Sequence, residues 1–472
     1  MTLTLAAAAQ ACHGSLHGSD LRFGRCSTDT RTLLDGDVFI ALRGPNHDGH
    51  DHLQVALERG ASALIVETLP DAATLAKCSV VQVEDTRIAL GEIAHWWRQQ
   101  HQLTAVAVTG SNGKTTVKEM LSSILSSKAP VLATRGNLNN DIGLPLTCLS
   151  IQPEHRYGVF EMGANHVGEI GYLSRIACPD VAILNNVGPA HLEGFGSFEA
   201  VADTKSEIFS GVAADGFAVF NADDRFVEVF RQAASHCQRV GFGFSGNADV
   251  RGVETAAGEF FIATADERCQ LQLELPGRHN RMNALAACAA ALCAGLTLRE
   301  AVDALASMQS VPGRLQIRAS EFAATLIDDT YNANPASVRA AIDVLSEQAG
   351  ETVLVLGDMR ELGPSAHQLH AEVGSYAKEK SIDQLLSVGA LAAHAAAAFG
   401  ANGRSFVSSS ELATAVTPLL FEPVSLLFKG SRGAAMEQVM DAALQQARNS
   451  NSSIIKGGSL TDVEKLPRVR VQ

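Results

Sequence analysis

The stretch that decides the fold of this chain is TGSNGKTT, at Thr109–Thr116. It follows the continuous apolar run Ala105–Val108, which is typical of a strand buried in a parallel sheet, and it precedes a stretch with helical spacing. Glycines let backbone N–H groups converge on a phosphate, and the N-terminus of the next helix adds partial positive charge. The order strand, glycine-rich loop and helix therefore predicts a nucleotide phosphate site.

Two side chains of the loop carry the chemistry. Lys114 can reach the β- and γ-phosphates, and the Thr115 hydroxyl can bind Mg²⁺. The usual motif G-x-x-x-x-G-K-[ST] lacks its first glycine here, because Val108 stands at that position. The strand–loop–helix context still favours nucleotide binding over a plain glycine turn. The loop residues predicted to bind ATP are Thr109, Gly110, Ser111, Asn112, Gly113, Lys114, Thr115 and Thr116.

Outward from the loop, apolar strands alternate with helical stretches. This pattern predicts a doubly wound α/β central domain, and a second alternating run after Arg314 predicts a C-terminal Rossmann-like α/β domain. The strands expected in these two domains are Ala105–Val108, Tyr157–Phe160, Val181–Leu184, Phe217–Phe220, Thr325–Ile327, Thr352–Leu356, Gln384–Val388 and Val424–Phe428. Helices are expected at Ala336–Gln348 and Ala434–Ala447.

The first hundred residues form a smaller α/β unit. Strands are expected at Asp37–Leu42, Ala63–Val66 and Val80–Val83, and a helix at Thr86–His101. No Lys or Arg precedes the apolar run Leu3–Ala9, so we interpret it as a first helix and not as a signal peptide. The predicted domains are residues 1–102, 103–313 and 314–448, followed by a polar tail at 449–472.

Composition excludes several classes of protein. The 472-residue chain has a formal net charge of −14, which argues against a general nucleic-acid binder. No apolar run reaches the roughly 18 residues that a membrane-spanning helix needs. The nine cysteines are scattered without a C-x-x-C pair. We therefore interpret the cysteines as buried, reduced thiols of a protein in a reducing compartment, and we expect a cytoplasmic location.

Polar residues at strand ends mark the expected site. Glu161 ends one predicted strand, and His191 follows the next; ligand-binding groups collect at this edge of an α/β sheet. A carboxylate there can hold Mg²⁺. We interpret the histidine-rich stretch His47–His52 as a polar loop without metal, and His367 with His370 as a solvated helix face.

Several segments, in order along nearly the whole chain, resemble those of the ATP-dependent Mur ligases of peptidoglycan synthesis, which use the shortened loop. Beside TGSNGKTT, the segments that carry this resemblance are RGNLNNDIG at residues 135–143, EMGAN at 161–165, HLEGFGS at 191–197, DDTYNANP at 328–335, GDMRELG at 357–363 and KGSR at 429–432.

The resemblance implies a role for each matched position. Lys114, Glu161, His191 and Lys205 would be catalytic, with Thr115, Glu161, His191 and a carbamylated Lys205 organising Mg²⁺. Asn280 would lie beside the adenine, Arg314 beside a phosphate and Asp329 beside the ribose. The residues implied in binding the other substrates are Ser27, Thr28, Asp29, Arg31, Arg43, Asn137, Asn139, Asn332, Asn334, Asp358, Lys429, Ser431 and Arg432.

The implied activity is the ATP-dependent joining of D-alanyl-D-alanine to UDP-N-acetylmuramoyl-tripeptide by a monomer, with ATP and Mg²⁺ as cofactors and no nucleic acid or membrane as partner. One alternative is the family's ligase for the third amino acid, lysine or diaminopimelate. Its Asp-Asn-Pro-Arg-like segment does not occur between Asp358 and Lys429. Ligases for the first two residues and folylpolyglutamate-type ligases resemble the chain less. From another class, a nucleotide-binding switch without ligase activity stays open.

Overall fold

The computed structural model describes residues 3–188, 197–308, 311–318 and 320–457. The chain forms two compact units, of which the first comprises Met1–Glu274 with Arg278–Gln309, and the second Leu275–Gly277 with Ser310–Gln472. The first unit contains the N-terminal and central α/β domains, and the second contains the C-terminal α/β domain. The predicted fold class is confirmed in all three.

The N-terminal domain is built on a five-stranded sheet, whose order is Ser15–His17, Ser79–Gln82, Ala63–Val66, Val38–Ile40 and Cys26–Ser27. Only the first pairing is antiparallel. The strands Leu3–Thr4 and Arg22–Phe23 form a separate antiparallel ladder. The domain's helices are Leu5–Ala11, Leu53–Glu58, Ala72–Leu75 and Thr86–Gln99, with a 3₁₀ turn at Gly49–His52.

The central domain contains a nine-stranded sheet. Its order is Arg268–Gln270, Phe260–Ala263, Val250–Glu254, Gln238–Gly243, Phe217–Asn221, Val181–Leu184, Thr104–Thr109, Tyr157–Glu161 and Val131–Ala133. The last seven strands pair in parallel, so their carboxyl ends share one edge. The described α-helices are Lys114–Ser126, Gly143–Leu149, Glu169–Ala177, Phe198–Ser206, Val227–Ala233, Arg278–Cys293 and Leu298–Ala306, with a 3₁₀ segment at Glu207–Gly211.

The C-terminal domain has a six-stranded sheet in the order Gln316–Arg318, Thr325–Asp329, Val424–Lys429, Glu351–Gly357, Gln384–Val388 and Gly403–Phe406. Only the first strand is antiparallel to its neighbour. Its helices are Pro335–Ser346, Ala366–Glu379, Ala392–Phe399, Ser409–Val416 and Met436–Gly457, with 3₁₀ turns at Gly363–Ser365, Thr417–Phe421 and Arg432–Ala434. Apolar residues bury both faces of the sheet.

Two sequence expectations fail in this domain. The last helix begins at Met436, because Ala435 adopts a left-handed φ of 49°, and it continues to Gly457 into the predicted polar tail. His370 was expected on a solvated helix face, yet it is fully buried. Its Nδ1 donates to the Ala366 carbonyl and its Nε2 accepts from the Met359 N–H, so both ring nitrogens are satisfied inside the protein.

Within the described ranges, no helix combines the length and apolar character needed to cross a bilayer. All nine cysteines are free thiols, and six of them are buried. Burial raises the pKa of the Cys26 and Cys148 thiols to about 12. These cysteines therefore act as small apolar core residues.

Candidate active site

The phosphate loop joins the strand Thr104–Thr109 to the helix Lys114–Ser126. Gly113 has a φ of 79°, and a Cβ placed on it would lie 2.4 Å from the Asn283 Oδ1. Both the left-handed backbone and the close approach require glycine here. The Lys114 ammonium donates to the Gly110 carbonyl at 2.7 Å, so its side chain is folded back along the loop.

Side-chain amides brace the loop from the neighbouring strand. Asn185 and Asn186 both donate from Nδ2 to the Asn112 carbonyl at 3.0 Å, and the Asn186 Oδ1 accepts from the Asn112 N–H at 2.9 Å. Asn185 also donates to the Asn283 Oδ1 at 2.8 Å, and Asn283 donates to the Asn280 Oδ1 at 3.2 Å. A chain of amides thus connects the loop to the predicted adenine-side residue.

Of the four asparagines whose side chains form these bonds, only Asn280 is assigned to the site by the sequence. Asn280 lies within the helix Arg278–Cys293, at its third residue. The signal that could have found the others is position: Asn185 directly follows the strand Val181–Leu184, at the edge where the loop lies. Asn283 is one helical turn beyond Asn280, on the same helix face.

The hydroxyls of the loop are packed into the domain. The Thr109 hydroxyl donates to the Met162 carbonyl at 2.8 Å, and the Ser111 hydroxyl donates to the Gly188 carbonyl at 3.0 Å. Thr115 and Thr116 are buried in the first turn of the following helix. The loop is therefore held in place from both neighbouring strands, without a ligand.

Glu161 ends the strand beside the phosphate loop and is buried. Its Oε1 accepts from the Asn139 Nδ2 at 2.8 Å, and its N–H donates to the Thr134 hydroxyl at 3.0 Å. The Oε2 is buried and has no hydrogen-bond partner among the described residues. A buried carboxylate oxygen without a donor is costly unless a cation binds it. A carboxylate such as that of Glu161 and a hydroxyl such as that of Thr115 are oxygen ligands of the kind that Mg²⁺ prefers, so the residue types fit this ion.

Lys205 is the second unusual group of the site. It lies in the helix Phe198–Ser206, and only 2% of it is exposed. Burial, and secondarily the charge of Lys114, hold the pKa of Lys205 well below its usual value. Among the described residues, the only charge that shifts this pKa is that of Lys114. Burial disfavours the charged ammonium, and the neutral amine that it favours is nucleophilic.

His191, predicted at the same edge, lies outside the described residues. Asn137 and Asn139 lie in the loop that follows the edge strand Val131–Ala133. Asn139 contacts the site through Glu161, whereas Asn137 is exposed.

Three of the predicted residues, Asp329, Asn332 and Lys429, contact one another in the C-terminal domain. The Lys429 ammonium lies 2.5 Å from the Asp329 Oδ2 and also donates to the Asn332 carbonyl at 3.0 Å. The Asp329 Oδ1 accepts from the Leu315 N–H at 3.2 Å. The guanidinium of Arg314 stacks over the Tyr331 ring, 4.1 Å from its centroid. Both oxygens of Asp329 therefore already have a protein donor, and a ribose hydroxyl would have to share them.

The remaining predicted residues of this domain have structural partners. The Asn334 side chain caps the helix Pro335–Ser346, and the Asp358 Oδ1 accepts from the N–H groups of Leu391 and Ala392. Ser431 donates from its hydroxyl to the Asp358 carbonyl at 2.6 Å. Arg432 is exposed and pairs with Glu437 at 2.9 Å. Of these, Arg432 presents the most accessible charge.

In the N-terminal domain, Arg43 is part of an ionic network. Its Nε lies 2.9 Å from the Asp48 Oδ2, and its Nη1 lies 2.8 Å from the Glu67 Oε2. The His50 Nδ1 lies 2.6 Å from the Asp48 Oδ1, and the His50 Nε2 accepts from the Glu67 N–H at 3.0 Å. The His50 N–H is the main cause that lowers the pKa of Asp48 to about 2. The histidine-rich stretch thus orients Asp48 and Arg43.

The segment Ser27–Arg31 leaves the sheet beside this network. The Ser27 hydroxyl donates to the Asp29 carbonyl at 3.0 Å, and Arg31 pairs with the Asp29 carboxylate at 2.7 Å. The guanidinium of Arg31 is 85% exposed, so it can turn to another anion at little cost. Thr28 lies between these residues and is half-buried.

The sequence and the fold match known proteins along most of the chain. The family model of the Mur ligase family, catalytic domain, matches residues 23–98; that of the Mur ligase middle domain matches 108–291; and that of the Mur ligase, glutamate ligase domain, matches 313–458. The chain belongs to the Mur ligase family, which confirms the resemblance seen in its motifs.

Particular relatives narrow the comparison. UDP-N-acetylmuramoyl-tripeptide--D-alanyl-D-alanine ligase of Escherichia coli (strain K12) is 42% identical over 94% of this chain and 98% of its own length. The crystal structure of MurF from Acinetobacter baumannii has a TM-score of 0.87 and 38% identity, covering 94% of this chain and 99% of that one. MurF ligase from Thermotoga maritima, in complex with ADP, has a TM-score of 0.80 and 29% identity, covering 90% and 98%.

Proposed function

We propose that this chain joins D-alanyl-D-alanine to UDP-N-acetylmuramoyl-tripeptide with hydrolysis of ATP to ADP and phosphate, a step of peptidoglycan precursor synthesis and hence of cell-wall biogenesis. The observation that carries this proposal is its 42% identity, over 94% of the chain, to a ligase of that name. The phosphate loop and the buried Glu161 beside it supply the chemistry that such a ligase needs.

The reaction requires activation because a carboxylate is a poor electrophile. The terminal carboxylate of the tripeptide attacks the γ-phosphorus of ATP, which releases ADP and forms an acyl phosphate. The amine of D-alanyl-D-alanine then attacks the acyl carbon, loses a proton, and displaces phosphate. Lys114 neutralises the transferred phosphate, and Arg314 and Arg432 supply further positive charge.

Thr115, Glu161, His191 and Lys205 are the residues that we assign to Mg²⁺. When bound, Mg²⁺ would polarise the phosphoryl oxygens and screen the negative charge of the two substrates. Burial favours the neutral form of the Lys205 amine, which is the form that carbamylation needs: the nitrogen adds to CO₂ and releases a proton. The product is an anion, which attracts the charge of Lys114 and adds an oxygen donor.

The other assignments rest on the matched segments. Ser27, Thr28, Asp29, Arg31 and Arg43 would bind the UDP end, and Asn137 with Asn139 the muramoyl peptide. The adenosine and phosphates of ATP would contact Asn280, Arg314 and Asp329, and the dipeptide side is assigned to Asn332, Asn334, Asp358, Lys429, Ser431 and Arg432. The domain limits 1–102, 103–313 and 314–448, a monomeric state and a cytoplasmic location complete the proposal.

One assay tests the function. Phosphate release is measured with each UDP-muramoyl peptide alone, with D-alanyl-D-alanine, and with lysine or diaminopimelate. We expect release only with the tripeptide and the dipeptide together. Release with UDP-muramoyl-dipeptide plus lysine or diaminopimelate would assign the chain to the third-residue ligase, and release that ignores both acceptors would indicate a nucleotide-binding switch.

A further inference from the structure

Lys118 is a buried cation that the reaction outlined above does not use. It lies one turn beyond Lys114 in the phosphate-loop helix, and 1% of it is exposed. Its ammonium donates to the Thr134 carbonyl at 2.8 Å and lies 2.7 Å from the Glu119 Oε1. Burying an ammonium costs free energy that an aliphatic side chain would not, so the position calls for an explanation.

Thr134, whose carbonyl accepts from Lys118, lies where the edge strand of the central sheet ends. Thr134 directly follows Val131–Ala133, the edge strand, and its N–H still donates to the Val159 carbonyl of the neighbouring strand at 3.0 Å. The Glu161 N–H of that strand bonds to the Thr134 hydroxyl and not to its carbonyl. Lys118 supplies a donor to the Thr134 carbonyl from the phosphate-loop helix. The bond fixes the place where the edge strand ends and the loop that carries Asn137 and Asn139 begins.

Thr134 also positions Glu161, the carboxylate residue that we assign to Mg²⁺. Its hydroxyl accepts from the Glu161 N–H at 3.0 Å, and the loop that it starts returns Asn139 to the Glu161 Oε1 at 2.8 Å. The Asn139 carbonyl accepts from the Gly163 N–H at 2.8 Å, which docks the loop on the same strand end. Both of these hydrogen bonds to Glu161 therefore depend on where Thr134 lies.

We propose that Lys118 is a positioning residue, which through Thr134 holds Glu161 and the Asn137–Asn139 loop in register with the phosphate loop. The inference rests on the proposed function, because it takes Glu161 as the Mg²⁺ carboxylate. Partners that orient a metal ligand change metal affinity by about 10- to 100-fold when they are lost. Lys118 acts one bond further away, so we expect an effect of about tenfold.

The test measures nucleotide binding and not turnover. The melting temperature of the full chain is recorded at saturating ADP while Mg²⁺ is titrated, for the wild type, Lys118→Met, Thr134→Val and Lys128→Met. Thr134→Val removes the hydroxyl that Glu161 uses and keeps the carbonyl that Lys118 uses. Lys128 lies just beyond the same helix and pairs with Glu300 in solvent, so Lys128→Met is the matched control.

We expect Lys118→Met and Thr134→Val each to raise the Mg²⁺ concentration for half-maximal stabilisation about tenfold, and Lys128→Met to leave it unchanged. The double variant should shift it no further than either single one, because both act through Glu161. A lower melting temperature with an unchanged Mg²⁺ midpoint would make Lys118 merely structural and overturn the inference. If Lys118→Met does not fold, Lys118→Gln, which keeps a polar head group but is too short to replace the ammonium at the Thr134 carbonyl, is measured by the same criterion. A wild type that shows no Mg²⁺ dependence at all would instead contradict the proposed function.

Discussion

The ammonium of Lys429 and the carboxylate of Asp329 form a buried ion pair, 2.5 Å apart, at the end of two adjacent parallel strands. Burial lowers the pKa of Lys429, and the neighbouring Asp329 opposes that effect. The pair also fixes Leu315, whose N–H binds the other oxygen of Asp329. A single interaction thus orders the ends of these strands and the backbone beside Arg314.

Breaking this pair should destabilise the C-terminal domain. Lys429→Met leaves the Asp329 carboxylate buried without its cation, which costs about 3–5 kcal/mol. Urea unfolding monitored by circular dichroism measures the loss. The double variant Asp329→Asn with Lys429→Met should recover a large part of it. Arg432→Met, which breaks an exposed pair, should cost about 1 kcal/mol or less. Equal losses for the buried and the exposed pair would contradict this account.

Gly113→Ala should impair nucleotide binding through local geometry alone. A Cβ at this position would lie 2.4 Å from the Asn283 Oδ1, and the backbone is left-handed. We expect calorimetry to show at least about a tenfold loss of ADP affinity, from strain of about 1–3 kcal/mol. Gly258 has a similar φ of 83°, but a Cβ there would meet nothing within 4 Å. If Gly258→Ala weakens ADP binding equally, the steric explanation is wrong.

Lys205→Met should stabilise the protein in CO₂-free buffer while it removes activity. The pKa of Lys205 is lowered by folding, so its contribution to stability is present above the unfolded pKa of about 10.4 and declines as the pH falls below it. At pH 7.5 the free energy of unfolding of the methionine variant should therefore exceed that of the wild type by about 1–2 kcal/mol. This difference in stability should become smaller towards pH 10. A less stable variant at pH 7.5 would refute this explanation.

The carbamate itself has a separate test. Lys205→Ala should lose ligation, and carbonate should not restore it, because the variant has no amine to carbamylate. A short-chain carboxylate can occupy the space and supply an anion, so partial rescue is expected. Ligation rates of the variant with and without the added carboxylate measure the effect. Full activity without any additive would remove the carbamate from the reaction.

Lys114→Ala should abolish ligation and leave the fold intact. The residue is half-buried at the loop, and its ammonium donates to the Gly110 carbonyl within the same loop. Its loss therefore removes a charge from the phosphate site without opening the core. Phosphate release measures the first effect and far-ultraviolet circular dichroism the second. Turnover near that of the wild type would show that the loop is not the phosphate site.

His370 should make stability depend on pH. Burial is the main cause that lowers the pKa of His370; Asp358 raises it, and His394 and His367 lower it further. The depressed pKa means that its contribution to stability is complete above about pH 6.5 and is lost as the pH falls below that value. Melting temperatures from pH 8 to 5 should therefore drop less for His370→Gln than for the wild type. His47→Gln, at an exposed loop position of the N-terminal domain, is the control and should follow the wild-type curve.

Much of the architecture follows from local pattern. Runs such as Val181–Leu184 and Gln384–Val388 are strands with the limits that their apolar residues predict. The limits of helices were predicted less accurately. The last helix was expected from Ala434, but the left-handed backbone of Ala435 delays its start to Met436. The burial of His370 could not be predicted for a similar reason. Its spacing from His367 indicates only that the two lie on one helix face, whereas the neighbours that cover His370 are set by tertiary packing.

The sequence by itself determined the family, the phosphate loop and the residue types that a ligase of this kind needs, because each depends on a short segment whose spacing sets its local geometry. Only the tertiary structure decided which of those residues act together. Asn139 and Glu161 meet because a loop returns to the end of a neighbouring strand. Lys114 lowers the pKa of Lys205, although Lys205 lies on a helix from further along the chain. Such long-range proximity, and the burial that shifts the Lys205 pKa, are properties of packing that no single segment contains.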